Sequence, residues 1–421
     1  MVDTRPVIPL TNAQLLLVAT RSLVGWGVIL TGALLPMTLL SVNPIISIFS
    51  VSHTVSDSHG KGWILAIGWL VFGIISLGFG QLIDSVDRFK TNKRSTVVVS
   101  LVSLVALTVA IPKTSILSLG LLLILLQIPS AVLATLASTQ LSRAKEKTGR
   151  GSASAIFALS LSISFLVASQ ITEATNRISG VNITVGLGIF LIAIGFVINL
   201  WLKKHPGKPV RHRISRHDKK KINGNHFIRF YIANVVFFAG VYAIDYYLPA
   251  IANSNANKKG VALDQIVSAS ISLYTVGSLA AVFATVFFLF ATERIERTYL
   301  VGTIMFGVAT LMLVSMAKAS IFVLIRSLSG VAVGITSTTL LVLTITYLPK
   351  KSWRGRAVGL LFSSLALSHI AGPALGHFLI RDEFTGSAFT PLLMTFAIGS
   401  CVTAGILHVT RAKPNDFHVS M

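Results

Sequence analysis

Long apolar stretches alternate with short polar ones along almost the whole chain. Twelve stretches reach at least about 17 residues, the length that an α-helix rising 1.5 Å per residue needs to cross the hydrocarbon core of a bilayer. They are residues 23–49, 62–83, 95–111, 116–141, 153–171, 183–202, 227–252, 266–291, 299–316, 321–348, 357–380 and 388–409. The pattern predicts an all-α polytopic membrane protein with twelve transmembrane helices.

A basic polar segment, residues 203–225, divides six stretches from six. We therefore predict three parts: an N-terminal six-helix bundle over 1–202, a linker over 203–225 and a C-terminal six-helix bundle over 226–421. A faint repeat supports pseudo-two-fold symmetry, because Arg150-Gly151-Ser152-Ala153 precedes the fifth stretch and Arg354-Gly355-Arg356-Ala357 precedes the eleventh.

The basic residues predict the orientation of the spans. Most of the 36 lysines and arginines lie in the N-terminal segment, in the loops after even-numbered stretches and in the C-terminal tail, and nine of them lie between Lys203 and Lys221. Short cytoplasmic loops hold the excess of such residues. We expect a multi-pass protein of the cell membrane with both termini in the cytoplasm and the linker near anionic lipid headgroups.

Composition excludes several other classes of protein. Hydrophobic residues make up 53% of the 421 residues and charged residues 12%, whereas soluble domains carry roughly 25% charge. The net charge of +22 does not indicate nucleic-acid binding, because the basic residues lie between apolar stretches and not on one soluble face. The single cysteine, Cys401, permits no internal disulfide and no cysteine-based zinc cluster, so we expect neither a metal nor a cofactor.

The loop after the second stretch carries a recognisable pattern. Gly80-Gln81-Leu82-Ile83-Asp84 is followed by Arg88, Lys93 and Arg94. It resembles the G-x-L-x-D and basic cluster of the major facilitator superfamily, although the usual intervening glycine is absent and the loop is longer. The resemblance implies two six-helix bundles that rock about a central cavity, with these residues as a cytoplasmic gate. The alternative is ordinary positive-inside charge beside an aspartate that ends a helix.

Two further elements resemble the same family. The tenth stretch has Arg326 followed by Gly330 and Gly334, similar to the family's R-x-x-x-G-x-x-x-G helix, and the eleventh ends with Gly372-Pro373-Ala374-Leu375-Gly376, similar to its glycine-proline element. Glycines at this spacing let helices approach closely, so we expect these residues to pack helices together. Drug/proton antiporters carry both elements in spans four and five, so their position here does not favour that subclass.

Asp245 and Arg326 are the plainly ionisable residues that lie well inside predicted spans. Charged groups at such depth are costly and usually face a cavity or a partner. Both should lie in the outer half of the membrane, and the resemblance implies that spans one, four, seven and ten line one central path. We expect either an ion pair that is exchanged during transport, with Arg326 binding an anionic substrate group or Asp245 accepting a proton, or a permanent interhelical pair.

Polar side chains in nearby spans are further candidates for substrate binding. Gln127 and Asn234 supply amides, and Tyr246 supplies a ring face and a hydroxyl. Each could equally serve as a hydrogen-bonding group between packed helices.

These features predict a secondary active transporter of a small organic solute. No phosphate loop, H-E-x-x-H or nucleophile elbow is present, which argues against an enzyme and against transport driven by the chain's own ATP hydrolysis. The sparse polar path favours proton-coupled efflux of a drug-like or amphipathic compound by a monomer. The alternatives are uptake of a sugar or organic anion, and a receptor or assembly protein that transports nothing.

Overall fold

Apolar composition and backbone hydrogen bonding together require helices, because a bilayer offers no water to satisfy peptide groups. The computed structural model describes residues 12–41, 55–85, 93–143, 149–174, 177–202, 224–256, 263–291, 295–314, 318–346, 353–380 and 389–409. The helices within them are α1 Asn12–Ser41, α2 Val55–Ser85, α3 Lys93–Ala110, α4 Ile116–Ser142, α5 Gly149–Ala174, α6 Arg177–Leu202, α7 Gly224–Ala256, α8 Leu263–Ala291, α9 Ile295–Val314, α10 Ala319–Thr346, α11 Arg354–Leu379 and α12 Thr390–Val409.

The prediction of twelve membrane helices is confirmed. In the described part of the chain, eleven helices are long and apolar enough to cross a membrane, and the apolar part of α12, Thr390–Gly405, is shorter. Several helices extend beyond the predicted apolar stretches. For example, α1 begins at Asn12 and not at Leu23, because a helix can continue into the polar region beyond the apolar segment that predicts its span. Residues 42–49 of that stretch and 203–223 of the linker lie outside the described residues.

Odd-numbered helices begin, and even-numbered helices end, at one face of the bundle. There Lys93 at the start of α3 donates from Nζ to Oε1 of Gln140 near the end of α4, at 2.9 Å. We call this the predicted cytoplasmic face, after the orientation that the basic residues predict, and the other the predicted outer face.

The helices differ in how much of them faces outward. Most of the apolar segment of α1 is buried, whereas α3 and α6 leave large apolar side chains exposed, among them Val99, Val102, Phe190 and Val197. Exposed apolar side chains on a helix that is long enough to span a bilayer face lipid. Thus α1 lies inside the N-terminal half, and α3 and α6 lie at its lipid-facing side.

Several helix pairs join the N-terminal half, α1–α6, to the C-terminal half, α7–α12, among them α2–α11, α5–α8 and α5–α10. Helix α2 crosses α11, where Gly73 leaves no room for a Cβ beside Ala366. Ser162 of α5 and Ser278 of α8 are hydrogen-bonded through their hydroxyl oxygens at 3.1 Å. Nearer the predicted cytoplasmic face, the buried Ser154 hydroxyl of α5 donates to the Thr338 carbonyl of α10.

Candidate transport pathway and gate

A buried ion pair joins α7 to α10. Nη2 of Arg326 donates to Oδ1 of Asp245, and the two side chains are 1% and 12% exposed. Asp245 lies toward the end of α7 and Arg326 near the start of α10, so the pair lies nearer the predicted outer face. The structure therefore brings together the two charged residues that the sequence singled out.

The remainder of the Arg326 guanidinium has an aromatic neighbour and unused donors. Its Cζ lies 4.7 Å from the ring centroid of Tyr274 on α8, a distance suited to a cation–π interaction. Its Nε and Nη1 are buried and make no hydrogen bond to any described residue. Buried donors without an acceptor cost free energy, so this guanidinium can bind a further acceptor, best an anionic one.

The two candidate amides are engaged in packing within their own halves. Gln127 of α4 donates from Nε2 to the Pro36 carbonyl of α1 at 3.3 Å, and Asn234 of α7 donates from Nδ2 to Oγ of Ser364 on α11 at 2.6 Å. Both side chains are buried, and their oxygens, Oε1 and Oδ1, have no hydrogen-bond donor among the described residues. Each amide thus holds two helices together and retains one acceptor.

Tyr246 is half-buried one residue beyond Asp245. Its ring packs edge-to-face on Tyr247, with ring centroids 4.9 Å apart. The Tyr247 hydroxyl donates to the Pro373 carbonyl of α11 at 3.1 Å. The Tyr246 ring therefore packs on a neighbour that is itself fixed to α11, and no contact joins it to the ion pair among the described residues.

An aromatic stack crosses between the halves near the middle of the bundle. His369 of α11 lies between Trp69 of α2 and Tyr242 of α7, with the Trp69 and His369 ring centroids 3.5 Å apart. Trp69 belongs to the N-terminal half and the other two rings to the C-terminal half. Separation of α2 from α11 must therefore break a ring contact that is largely buried.

Glycines permit close helix approach in the C-terminal half. Gly330 and Gly334 of α10 lie against the backbone carbonyls of Tyr274 and Ser278 of α8. Gly372 of α11 lies against the Ala239 carbonyl of α7. A Cβ at any of these positions would overlap backbone atoms of the neighbouring helix, which cannot rotate away as a side chain can.

Gly376, the last glycine of the glycine-proline element, meets a side chain instead. A Cβ there would overlap the ring of Tyr247. Gly376 and the Pro373 carbonyl therefore both position Tyr247 against α11.

Gly330→Ala is expected to lower the thermal unfolding temperature of the purified protein by several degrees. The added methyl group must push α10 away from α8, and overpacking of this kind costs about 1–3 kcal/mol. Gly186→Ala in α6 is the matched control, because nothing lies within 4 Å of a Cβ at that position. Equal unfolding temperatures for the two variants would contradict the close approach.

A carboxylate joins α2 to the start of α11 at the predicted cytoplasmic face. The backbone N–H of Gly355 donates to Oδ1 of Asp84 at 2.9 Å, and that of Arg356 donates to Oδ2 at 2.8 Å. An anion at a helix N-terminus satisfies backbone donors that have no partner within the helix. Gly80 lies one turn before Asp84 and faces the Gly355 backbone, where a side chain would not fit. We call Asp84, Gly355 and Arg356 the α2–α11 latch.

Basic side chains surround this latch. Nη1 of Arg354 donates to the Ser142 carbonyl at the end of α4, at 3.1 Å. Arg143 follows α4 directly; burial lowers the pKa of its guanidinium, and the nearby Asp84 carboxylate opposes that shift by its charge. Of the basic residues predicted for the gate, Lys93 bonds Gln140, Arg94 is exposed, and Arg88 lies outside the described residues.

A family comparison identifies the fold. The model described as Major Facilitator Superfamily matches residues 28–292 and 230–417. The chain belongs to this superfamily. The resemblance inferred from the loop and glycine elements is thereby confirmed, and the protein is a multi-pass membrane transporter by family. A sequence search of curated proteins finds no match.

Solved structures of the major facilitator superfamily have the same fold. The human organic anion transporter MFSD10 (TETRAN) is 13% identical, with a TM-score of 0.67, and the match covers 95% of this chain and all of that one. The proton:xylose symporter XylE is 12% identical, with a TM-score of 0.68, covering 95% of this chain and 96% of that one. The E. coli fucose:proton symporter FucP is 11% identical, with a TM-score of 0.64, covering 94% and 99%.

Two parts of this site could not be predicted from the sequence. One is Tyr274, since a tyrosine within an apolar span gives only a weak indication of function. The other is the pair of backbone amides at Gly355 and Arg356, because the repeated sequence at Arg354-Gly355-Arg356 does not indicate that they bind Asp84. Almost every residue has a backbone amide, so only the tertiary structure decides which helix N-terminus lies next to the carboxylate.

Proposed function

We propose that this superfamily member is a secondary active transporter that carries an amphipathic, anionic organic compound together with a proton. The supporting observation is the Arg326 guanidinium, which is buried, is paired with Asp245 through one nitrogen and has two further nitrogens that bond no described residue. The aromatic ring of Tyr274 lies beside the pair. Cationic donors and ring faces together suit a solute with one anionic group on an apolar body.

Exchange of partners at Arg326 would couple the solute to a proton. When the anionic group of the solute takes the guanidinium, Asp245 is left as an unpaired carboxylate in a buried site. Such a charge is costly, and binding a proton removes it. Release of the solute restores the ion pair and expels the proton. The same two residues therefore alternate between an internal pair and a state that holds solute and proton.

The α2–α11 latch would supply the gate at the predicted cytoplasmic face. Its two hydrogen bonds to a carboxylate connect the N-terminal half to the C-terminal half, and the Ser154–Thr338 contact lies at the same face. Rocking of one half against the other must break these bonds before a solute can enter from that side. The Trp69–His369 ring contact would separate in the same movement.

The cellular setting follows from the orientation that the basic residues predict. We place the transporter in the cytoplasmic membrane with both termini inside, acting as a monomer and without nucleic acid. Its partners are the solute, the coupling proton and a bilayer whose anionic headgroups lie near the basic segment 203–225.

Flux of an aromatic sulfonate in proteoliposomes tests the proposal. A sulfonate stays charged at ordinary pH and crosses lipid poorly by itself, so carried flux is distinguishable from leak. We expect saturable flux that a pH gradient stimulates, with protons moving in the same direction as the sulfonate. Inside-out membrane vesicles, in which export appears as uptake, establish the direction.

The matched neutral sulfonamide and protein-free liposomes are the controls. Equal saturable flux of sulfonamide and sulfonate would contradict an anion site at Arg326. Absence of flux for either compound, with stability that depends on another membrane protein, would instead favour the receptor or assembly function.

A further inference from the structure

A cavity of about 230 Å³, apolar over most of its wall and basic at one end, opens inside the N-terminal half at the predicted cytoplasmic face. It lies between α1, α3, α4 and α6, away from the Asp245–Arg326 pair, which joins α7 and α10. Its walls carry two basic side chains, Lys93 and Arg94, and an apolar lining that includes Trp26 and Phe196. Neither the proposed transport path nor the α2–α11 latch uses this cavity.

The polar atoms of the cavity are mostly donors. Gln140 accepts from Lys93 through Oε1, while its Nε2 is buried and makes no hydrogen bond to a described residue. Asn199 donates from Nδ2 to the Gly195 carbonyl at 2.8 Å, and Ser22 adds a hydroxyl. Neither Asp nor Glu is among the described residues that line it. A cavity with two cations and an unused amide donor suits a phosphate group, which is anionic and accepts several hydrogen bonds.

The surroundings of the cavity are apolar and face lipid. On α3, Val98 and Val102 are 44% and 61% exposed, and on α6, Val197 and Trp201 are 61% and 59% exposed. These side chains lie on the two helices that border the cavity, within about three turns of its charged end. Two acyl chains could therefore lie along α3 and α6 while the attached headgroup enters between them.

We propose that this cavity binds the phosphate headgroup of an anionic glycerophospholipid from the cytoplasmic leaflet. The charges select an anionic headgroup, and the exposed valines of α3 and α6 select a ligand with acyl chains over a soluble phosphate ester. The site is distinct from the basic segment 203–225, which carries its positive charges outside the membrane spans.

Native mass spectrometry of the detergent-purified full chain tests this site. Phosphatidylglycerol and phosphatidylcholine with identical acyl chains are the probes, and soluble glycerol 3-phosphate is the competitor. We expect phosphatidylglycerol to bind at least about fivefold more than phosphatidylcholine. The double variant Lys93→Gln/Arg94→Gln should weaken phosphatidylglycerol binding about tenfold, because each basic residue near an anionic surface contributes substantially to lipid attraction.

The double variant Arg229→Gln/Arg297→Gln is the matched control. It removes two exposed basic residues from the same face, at the starts of α7 and α9, and should bind phosphatidylglycerol like the wild-type protein. Ser22→Glu gives a second test that keeps the Lys93–Gln140 bond, since it places a negative charge in the cavity. It should weaken binding as well, whereas Ser22→Gln should not.

Several outcomes would overturn the site. An equal loss of phosphatidylglycerol binding in the two double variants would mean that binding depends only on the total surface charge. Undiminished binding to the cavity variants, or equal binding of phosphatidylcholine, would mean that the cavity holds no anionic headgroup. Displacement of the lipid by glycerol 3-phosphate at equal concentration would make a soluble phosphate compound the ligand.

Discussion

Arg326→Lys should reduce pH-driven sulfonate flux at least about tenfold while the protein still folds. Lysine keeps the positive charge and can pair with Asp245, but it lacks the planar guanidinium that contacts Tyr274 and holds two further donors. A hydrogen bond to a charged group contributes about 1.5–3 kcal/mol, which corresponds to roughly a tenfold to hundredfold change in binding. Initial flux rates in proteoliposomes, with the unfolding temperature of the same preparation, measure the effect.

Variants that remove the charges separate transport from stability. Asp245→Asn leaves a buried guanidinium without its partner, and breaking such a pair costs about 3–5 kcal/mol. In Asp245→Asn/Arg326→Gln both charges are absent, so the stability should recover while the flux does not. Arg297→Lys, an exposed arginine elsewhere, controls for the substitution itself. Normal flux in Arg326→Lys, or recovered flux in the double variant, would instead establish a permanent interhelical pair.

Asp84→Ala should open the predicted cytoplasmic face. The substitution removes both hydrogen bonds to the start of α11, and at about 1.5–3 kcal/mol each their loss favours the open state by at least roughly tenfold. The variant Ser154→Cys, made in a Cys401→Ser background, reports this opening, because Ser154 is buried in the contact between α5 and α10. Its reaction with N-ethylmaleimide should accelerate by at least about tenfold.

The neighbouring Ser85→Ala is the control for Asp84→Ala. The Ser85 hydroxyl is exposed and donates to the Leu82 carbonyl of its own helix, so its loss leaves both halves in contact. An unchanged labelling rate in Asp84→Ala would show that the latch does not hold this face closed. Equal acceleration in both variants would point to a general loosening of α2.

Much of the candidate site could be inferred from residue types alone. Asp245 and Arg326 stood out because charge is rare within apolar spans, and the glycine spacing at Gly330 and Gly334 indicated close packing. Their partners could not be inferred in the same way. Tyr274 resembles any other residue of an apolar helix until α8 is placed beside α10. The amides that bind Asp84 lie 271 and 272 residues further along the chain.

The distribution of apolar and basic residues by itself predicted the number of membrane helices and a division into six and six, and the loop and glycine elements indicated the superfamily. These properties are local, since each residue's preference for lipid or water can be summed along one segment. Only the tertiary structure decided which helices meet: that Arg326 faces Asp245 and Tyr274, that Asp84 meets the start of α11, and that a basic cavity lies between α1, α3, α4 and α6. Those contacts depend on the shapes of segments that are far apart in sequence, and hydropathy carries no information about shape.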